Sequence, residues 1–168
     1  MNQPPNTAKA QAGVMLLEAL IGILIFSLGI LSLVALQATS IQLTSDAKYR
    51  TDASLLANRL IGQMWASGLT LDPDTDPNLK TKFENGGDEY NTWLTDVQGI
   101  DGLPGIVAAS SGIEPTLPTV AVILTKLPPE PPRADITITM RWRTPQMPTS
   151  GANSSHSHVV VSQIVRNP

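Results

Sequence analysis

Glu18 is the residue in this sequence best placed to do chemistry, because it is a lone charge inside a long apolar segment. The segment runs from Val14 to Leu36, and Glu18 is its only charged residue. An acid at the centre of a membrane helix costs about 2.5–3.5 kcal/mol to insert, so it normally has a partner or a function. Gly13, at the end of a polar leader, directly precedes the segment. Glu18 is therefore the first candidate functional residue.

Two other groups of residues have side chains of the kinds that bind metals. His156 and His158 stand in a polar segment, and neutral imidazole is a common ligand, but no carboxylate lies nearby in sequence to complete a tetrahedral site. We expect an exposed loop there. Residues 72–78 space their carboxylates like a calcium loop, but the EF-hand needs glycine at the sixth position, where this chain has Pro77. We expect a solvated turn, and no metal or other cofactor.

The tripeptide Arg141-Trp142-Arg143 combines cations with an aromatic ring, as nucleic-acid-binding segments do. However, residues 135–143 alternate between apolar and polar, which predicts a half-buried strand with Trp142 on the core face and both arginines in solvent. We expect a packed tryptophan. The formal net charge of −3 agrees, because surfaces that bind nucleic acid are basic.

The composition excludes several kinds of active site. The chain has no cysteine, so it forms neither a disulfide nor a thiolate metal site. The glycine motifs that bind phosphate are also missing. A nucleophilic serine or threonine would have only two histidines to serve as its imidazole base. We expect a protein that is not an enzyme.

The apolar segment has the length of one membrane-spanning helix, which needs about 20 residues. A cleavable secretory signal has a shorter apolar core of about 7–15 residues, although Ala38-Thr39-Ser40 could serve as its cleavage site. A plain membrane anchor would fit the length but would give no reason for Gly13 or Glu18.

The leader, Gly13, the apolar start at Val14 and the acid five positions after the glycine together resemble a type IV prepilin. Gly13–Phe26 and the strand ending Met140-Arg141-Trp142-Arg143 resemble the PilV type of minor pilin, the type IV pilus modification proteins. The resemblance implies that a prepilin peptidase cuts between Gly13 and Val14. It also implies that the amino group of Val14 is then methylated, and that Glu18 acts in subunit assembly.

The resemblance further implies partners and a location. The partners would be the prepilin peptidase, the bacterial inner membrane, other pilins and pilus assembly proteins. The protein would cross the membrane once, with a cytoplasmic leader and a periplasmic head, and then enter an extracellular pilus. One rival is a pseudopilin of type II secretion, whose N-terminus works in the same way. The other is of a different class: a membrane-anchored adhesin or DNA-binding module whose head contacts an external ligand.

The predicted fold class is α+β and pilin-like, with one long N-terminal helix packed on a small antiparallel β-sheet head. The sequence divides into a leader at 1–13, a transmembrane or filament-core helix at 14–40, and a head at 41–168 that includes the amphipathic second half of the helix. Residues 1–12 are expected to be flexible, because they are polar and contain two prolines.

The sequence of the head indicates where its helices and strands begin and end. The helix is expected to stop near Ala66, because Ser67-Gly68 suits a helix C-terminus. Tyr90, Trp93, Leu94 and Val97 have the spacing of a short helix covering the core. Residues 67–118 otherwise give little indication of structure. The expected strands are Thr119–Leu124, Asp135–Arg143 and His158–Val165.

Overall fold

The structure is a computed structural model that describes residues 8–166, with side chains from residue 13 onward. The chain divides into two compact units, Met1–Ala47 and Lys48–Pro168; the second is called the head below. The elements, in chain order, are α1 (Ala8–Ala66), α2 (Leu79–Phe83), α3 (Asp88–Val97), β1 (Thr119–Thr125), β2 (Arg133–Trp142) and β3 (His156–Val165).

Helix α1 begins earlier than the apolar pattern indicates. Its first residue is Ala8, so the expectation of a flexible segment is wrong for residues 8–12; the rest of that segment, residues 1–7, lies outside the described part. Residues 8–12 read Ala-Lys-Ala-Gln-Ala. All five are strong helix formers, which is why the helix extends into the leader.

Helix α1 ends as predicted, at Ala66. Gly68 follows with a φ of 66°, a conformation that glycine adopts without a Cβ clash. The carbonyls of the last turn are bound by Arg166, whose Nη2 donates to the oxygens of Met64 at 3.0 Å and Trp65 at 3.2 Å. Its Nη1 donates to the oxygen of Leu69. The residue after β3 thus closes the C-terminal end of the helix.

The three strands form one antiparallel sheet in the order β1-β2-β3. Residues 126–132 link β1 to β2 as a hairpin connection, with Thr125 opposite Arg133. The alternation predicted for β2 is confirmed: its core-face residues are 0–1% exposed. These residues are Ala134, Ile136, Ile138, Met140 and Trp142.

The head core lies between this face of the sheet and the second half of α1. Ala53, Ala57, Leu60 and Met64 are fully buried, as their helical spacing predicts. Trp65 continues the four-residue spacing of Ala53 and Ala57 and is expected on the same face, but it is 49% exposed. The helix expected around residues 90–97 is present as α3, and the Nε1 of its Trp93 donates to the oxygen of Leu56 at 2.9 Å. The predicted α+β, pilin-like layout is confirmed.

The acidic segment at 72–78 is a turn, as expected. The side chain of Asn78 accepts the Thr81 N–H at 3.0 Å and so caps α2. Lys126 pairs with Asp72, and this hydrogen bond lowers the pKa of the Asp72 carboxyl below its ordinary value of 3.8. The carboxylate of Asp72 thus links the turn to the end of β1.

Candidate functional site

The three N-terminal candidate residues lie on one helix in the first unit. Gly13, Val14 and Glu18 all belong to α1. Val14 and Glu18 are four residues apart, which puts them on the same helix face about 6 Å apart along the axis. Both are exposed. The helix therefore presents the predicted new amino terminus and the acid side by side.

The surrounding helix surface is apolar on every side. Each large apolar side chain from Val14 to Leu36 is between 47% and 74% exposed. One window of 18 residues has a mean hydropathy of 2.7 and no buried residue, so α1 is long and apolar enough to span a membrane. A helix that is apolar all round needs lipid or other helices to cover it.

The apolar segment contains two polar residues besides Glu18, and the helix itself satisfies both. The hydroxyl of Ser27 donates to the Ile23 carbonyl at 2.7 Å, and that of Ser32 donates to the Leu28 carbonyl at 2.8 Å. A hydroxyl bonded to the carbonyl four residues earlier needs no partner from outside the helix. Nothing in the sequence singles out these two serines, because a sequence does not show where a hydroxyl points.

Glu18 differs from the two serines. Within the part of the chain that the structure describes, it forms no hydrogen bond or ion pair. A carboxylate moved out of water without a partner is strongly disfavoured, and a cation that also donates hydrogen bonds makes the burial tolerable. Glu18 is therefore the one polar side chain of the segment that needs a partner from another molecule or from the leader.

The Gly13–Val14 peptide bond lies within α1. Glycine in a helix interior costs about 0.8–1.0 kcal/mol relative to alanine, so Gly13 weakens the helix at this bond. A Cβ added at Gly13 would meet nothing within 4 Å. A larger residue there fits the helix, so a cleavage defect caused by such a residue would reflect the peptidase rather than the fold.

The histidine pair is in a strand, and the expectation of an exposed loop is wrong. His156 and His158 open β3, where they stand opposite Trp142 and Met140. The ring of His156 packs against that of Trp142, with 5.5 Å between centroids. His158 Nε2 lies 3.0 Å from the Ser54 hydroxyl. No group of three potential metal ligands occurs among the described residues.

The three residues of the Arg141-Trp142-Arg143 segment have different environments. Trp142 is 1% exposed, so its ring is closed to base stacking. Arg141 is half-buried on the outer face of the sheet. Arg143 differs from the expectation of a solvated side chain, because its Nε donates to the Ser154 oxygen at 2.7 Å and its Nη2 to the Glu114 oxygen at 2.8 Å.

No family model, no curated protein and no solved structure matches this chain.

Proposed function

We propose that this protein is a minor pilin of a type IV pilus, processed by a prepilin peptidase and taking part in pilus assembly or tip function. The observation that carries the proposal is Glu18. It is the only residue of the apolar segment Val14–Leu36 whose polar group is left for another molecule to satisfy.

Removal of the leader creates the matching partner. Cleavage after Gly13 gives Val14 a free amino group, which is a cation whether or not it carries one methyl group. In a filament, Glu18 of one subunit accepts hydrogen bonds from this cation on the next subunit. An unpaired charge in a low-dielectric filament core is strongly unfavourable, whereas a hydrogen-bonded pair is tolerable. The pair therefore fixes the register between subunits more than it adds to stability.

The rest of the molecule supports the same proposal. The exposed apolar surface of α1 suits the inner membrane before assembly and the packing of helices afterwards. The head, with its own core, would stand in the periplasm and later on the surface of the pilus. This layout requires no catalytic group.

Glu18→Val and Glu18→Gln test the proposal in cells that make pili. Both variants should be cleaved and should reach the membrane, because neither change touches the bond after Gly13. Both should be depleted from sheared filaments, since Val removes the acceptor and Gln removes the charge while keeping the shape. The measurement is the amount of the protein in sheared pili relative to the amount in membranes.

Ser27→Ala is the matched control. It removes a polar group of the same segment, but one that the helix already satisfies, so its incorporation should equal that of the parent. Normal incorporation of both Glu18 variants would contradict the proposal and leave only a membrane anchor.

A further inference from the structure

Asn85 and Gly86 form an exposed turn between α2 and α3. The Oδ1 atom of Asn85 accepts the Val120 N–H at 2.7 Å. Val120 is the second residue of β1, which is an edge strand of the sheet, and an edge strand has N–H groups that the sheet itself does not pair. The Asn85 side chain therefore ties this turn to the edge of β1.

The residue after Asn85 has to be glycine. Gly86 has a φ of 91°, which a residue with a Cβ rarely adopts. The next residue, Gly87, is also restricted, because a Cβ there would lie 2.3 Å from the Lys82 carbonyl oxygen. The turn thus needs an asparagine for its bond to β1 and a glycine directly after it.

This pair of residues is chemically labile. Asparagine followed by glycine is especially prone to deamidation, because glycine has no side chain to hinder attack by its own nitrogen. Within the described chain, neither the Gly86 N–H nor the Nδ2 group of Asn85 forms a hydrogen bond. The attacking nitrogen and the leaving nitrogen are therefore both open. The Val120 N–H also faces the oxygen on which negative charge develops during the attack, and such a donor stabilises that charge.

We propose that Asn85 is a site of spontaneous deamidation. The Gly86 nitrogen gives up its proton and forms a bond to Cγ of Asn85, the Cγ–Nδ2 bond breaks, and the amide nitrogen leaves as ammonia. Water then opens the five-membered imide at either of its carbonyls. One opening gives aspartate, and the other gives isoaspartate, in which the main chain runs through Cγ.

The two products differ in what they do to the edge of β1. Aspartate keeps an oxygen at the position that accepts the Val120 N–H. Isoaspartate has one more carbon in its main chain, and its carboxylate is attached directly to Cα, so the acceptor moves away from the Val120 N–H. Formation of isoaspartate therefore detaches the turn from β1 and adds one negative charge.

Peptide mass spectrometry of the full-length protein, aged in its membranes at mildly alkaline pH, tests the proposal. Trypsin cuts after Lys82 and Lys126, and the peptide between these cuts contains Asn85 and Asn91 but no other lysine or arginine. We expect this peptide to gain about one dalton with time, because OH replaces NH2. Fragmentation should place the change at Asn85 and show both aspartate and isoaspartate.

Two other asparagines of the same chain are internal controls. Asn91 lies within helix α3. Asn153 is exposed in a turn, as Asn85 is, but the next residue carries a side chain, and the N–H of that Ser154 donates to the Gly151 oxygen at 3.1 Å. We expect a deamidated fraction several-fold larger at Asn85 than at either control. Equal fractions, or no change at Asn85, would overturn the proposal.

Asn85→Gln is the matched variant. Glutamine keeps the amide, but its cyclisation needs a six-membered ring and is much slower, so the peptide of residues 83–126 should keep its mass. The same gain in mass in this variant would overturn the proposal, because the reaction would then lie elsewhere.

Hydrogen exchange tests the proposed detachment. The isoaspartate form is separated from unaged protein by anion exchange, since it carries one more negative charge. We expect the Val120 amide to exchange several-fold faster in this form than in unaged protein. An unchanged rate would show that the turn stays bound to β1 and would overturn the detachment.

Discussion

Arg143 holds together two loops that have no regular structure of their own. Its guanidinium donates to the carbonyl oxygens of Glu114 and Ser154, and its own N–H donates to the Pro104 oxygen at 3.0 Å. Arg141, two residues earlier, forms no such bond within the described chain. The two arginines look equivalent in the sequence but differ in what they stabilise.

We therefore expect Arg143→Ala to lower the free energy of unfolding of the head by about 1.5–3 kcal/mol, because bonds from charged donors are worth that much. Arg141→Ala should change it by about 0.5 kcal/mol or less. Urea unfolding of residues 42–168, followed by tryptophan fluorescence, measures both. These residues include the whole head core, which begins at Ala53. Equal effects would show that the Arg143 bonds do not hold the loops.

Some functional or structural residues can be recognised from the sequence and others cannot. Glu18 and Gly13 stand out because an acid and a break in an otherwise regular pattern are visible without coordinates. Thr116 does not stand out, although it is fully buried. Its hydroxyl group donates to the Gly105 carbonyl and also accepts the Val107 N–H at 2.8 Å. Such bonds between side chain and backbone follow no period, so nothing in the sequence predicts them.

At the scale of elements, Arg166 joins the end of β3 to the end of α1. It donates three hydrogen bonds to carbonyls at the helix C-terminus, where the helix dipole favours a cation. A guanidinium can reach several acceptors in a fixed geometry, whereas an ammonium acts as a point charge.

Arg166→Ala should therefore destabilise the head by about 1–2 kcal/mol, and Arg166→Lys should recover part of this loss. Arg50→Ala, on the exposed surface of α1, is the control and should cost about 0.5 kcal/mol or less. The measurement is the midpoint of thermal unfolding by circular dichroism. If Arg166→Ala and Arg50→Ala shift it equally, Arg166 does not stabilise the helix end.

The elements themselves were predictable where one face is buried. Period-two alternation predicts β2, and the helical spacing of Leu60 and Met64 predicts the packed face of α1. The predicted start of β3, His158, is two residues late, because His156 looks like a loop residue until its neighbour on β2 is known. The segment between α1 and β1 was unreadable because side-chain bonds and short helices hold it, rather than a repeated apolar pattern.

At the scale of the whole molecule, the two units differ in how far their apolar side chains are buried. The head has an apolar core of its own, whereas the apolar segment of α1 leaves all of its large side chains exposed. The apolar segment of α1 therefore needs lipid or other helices to cover it. Under the proposed function, processing at Gly13 would convert this membrane helix into part of a filament subunit.

The intact mass of the protein purified from its native membrane tests the proposed processing. We expect a chain that starts at Val14, with one methyl group on its amino terminus, and a Gly13→Leu variant that keeps its leader. The Leu side chain fits the helix, so retention of the leader would reflect blocked cleavage. A wild-type chain that still starts at Met1, or one that starts near Gln42 after Ala38-Thr39-Ser40, would contradict the proposed function.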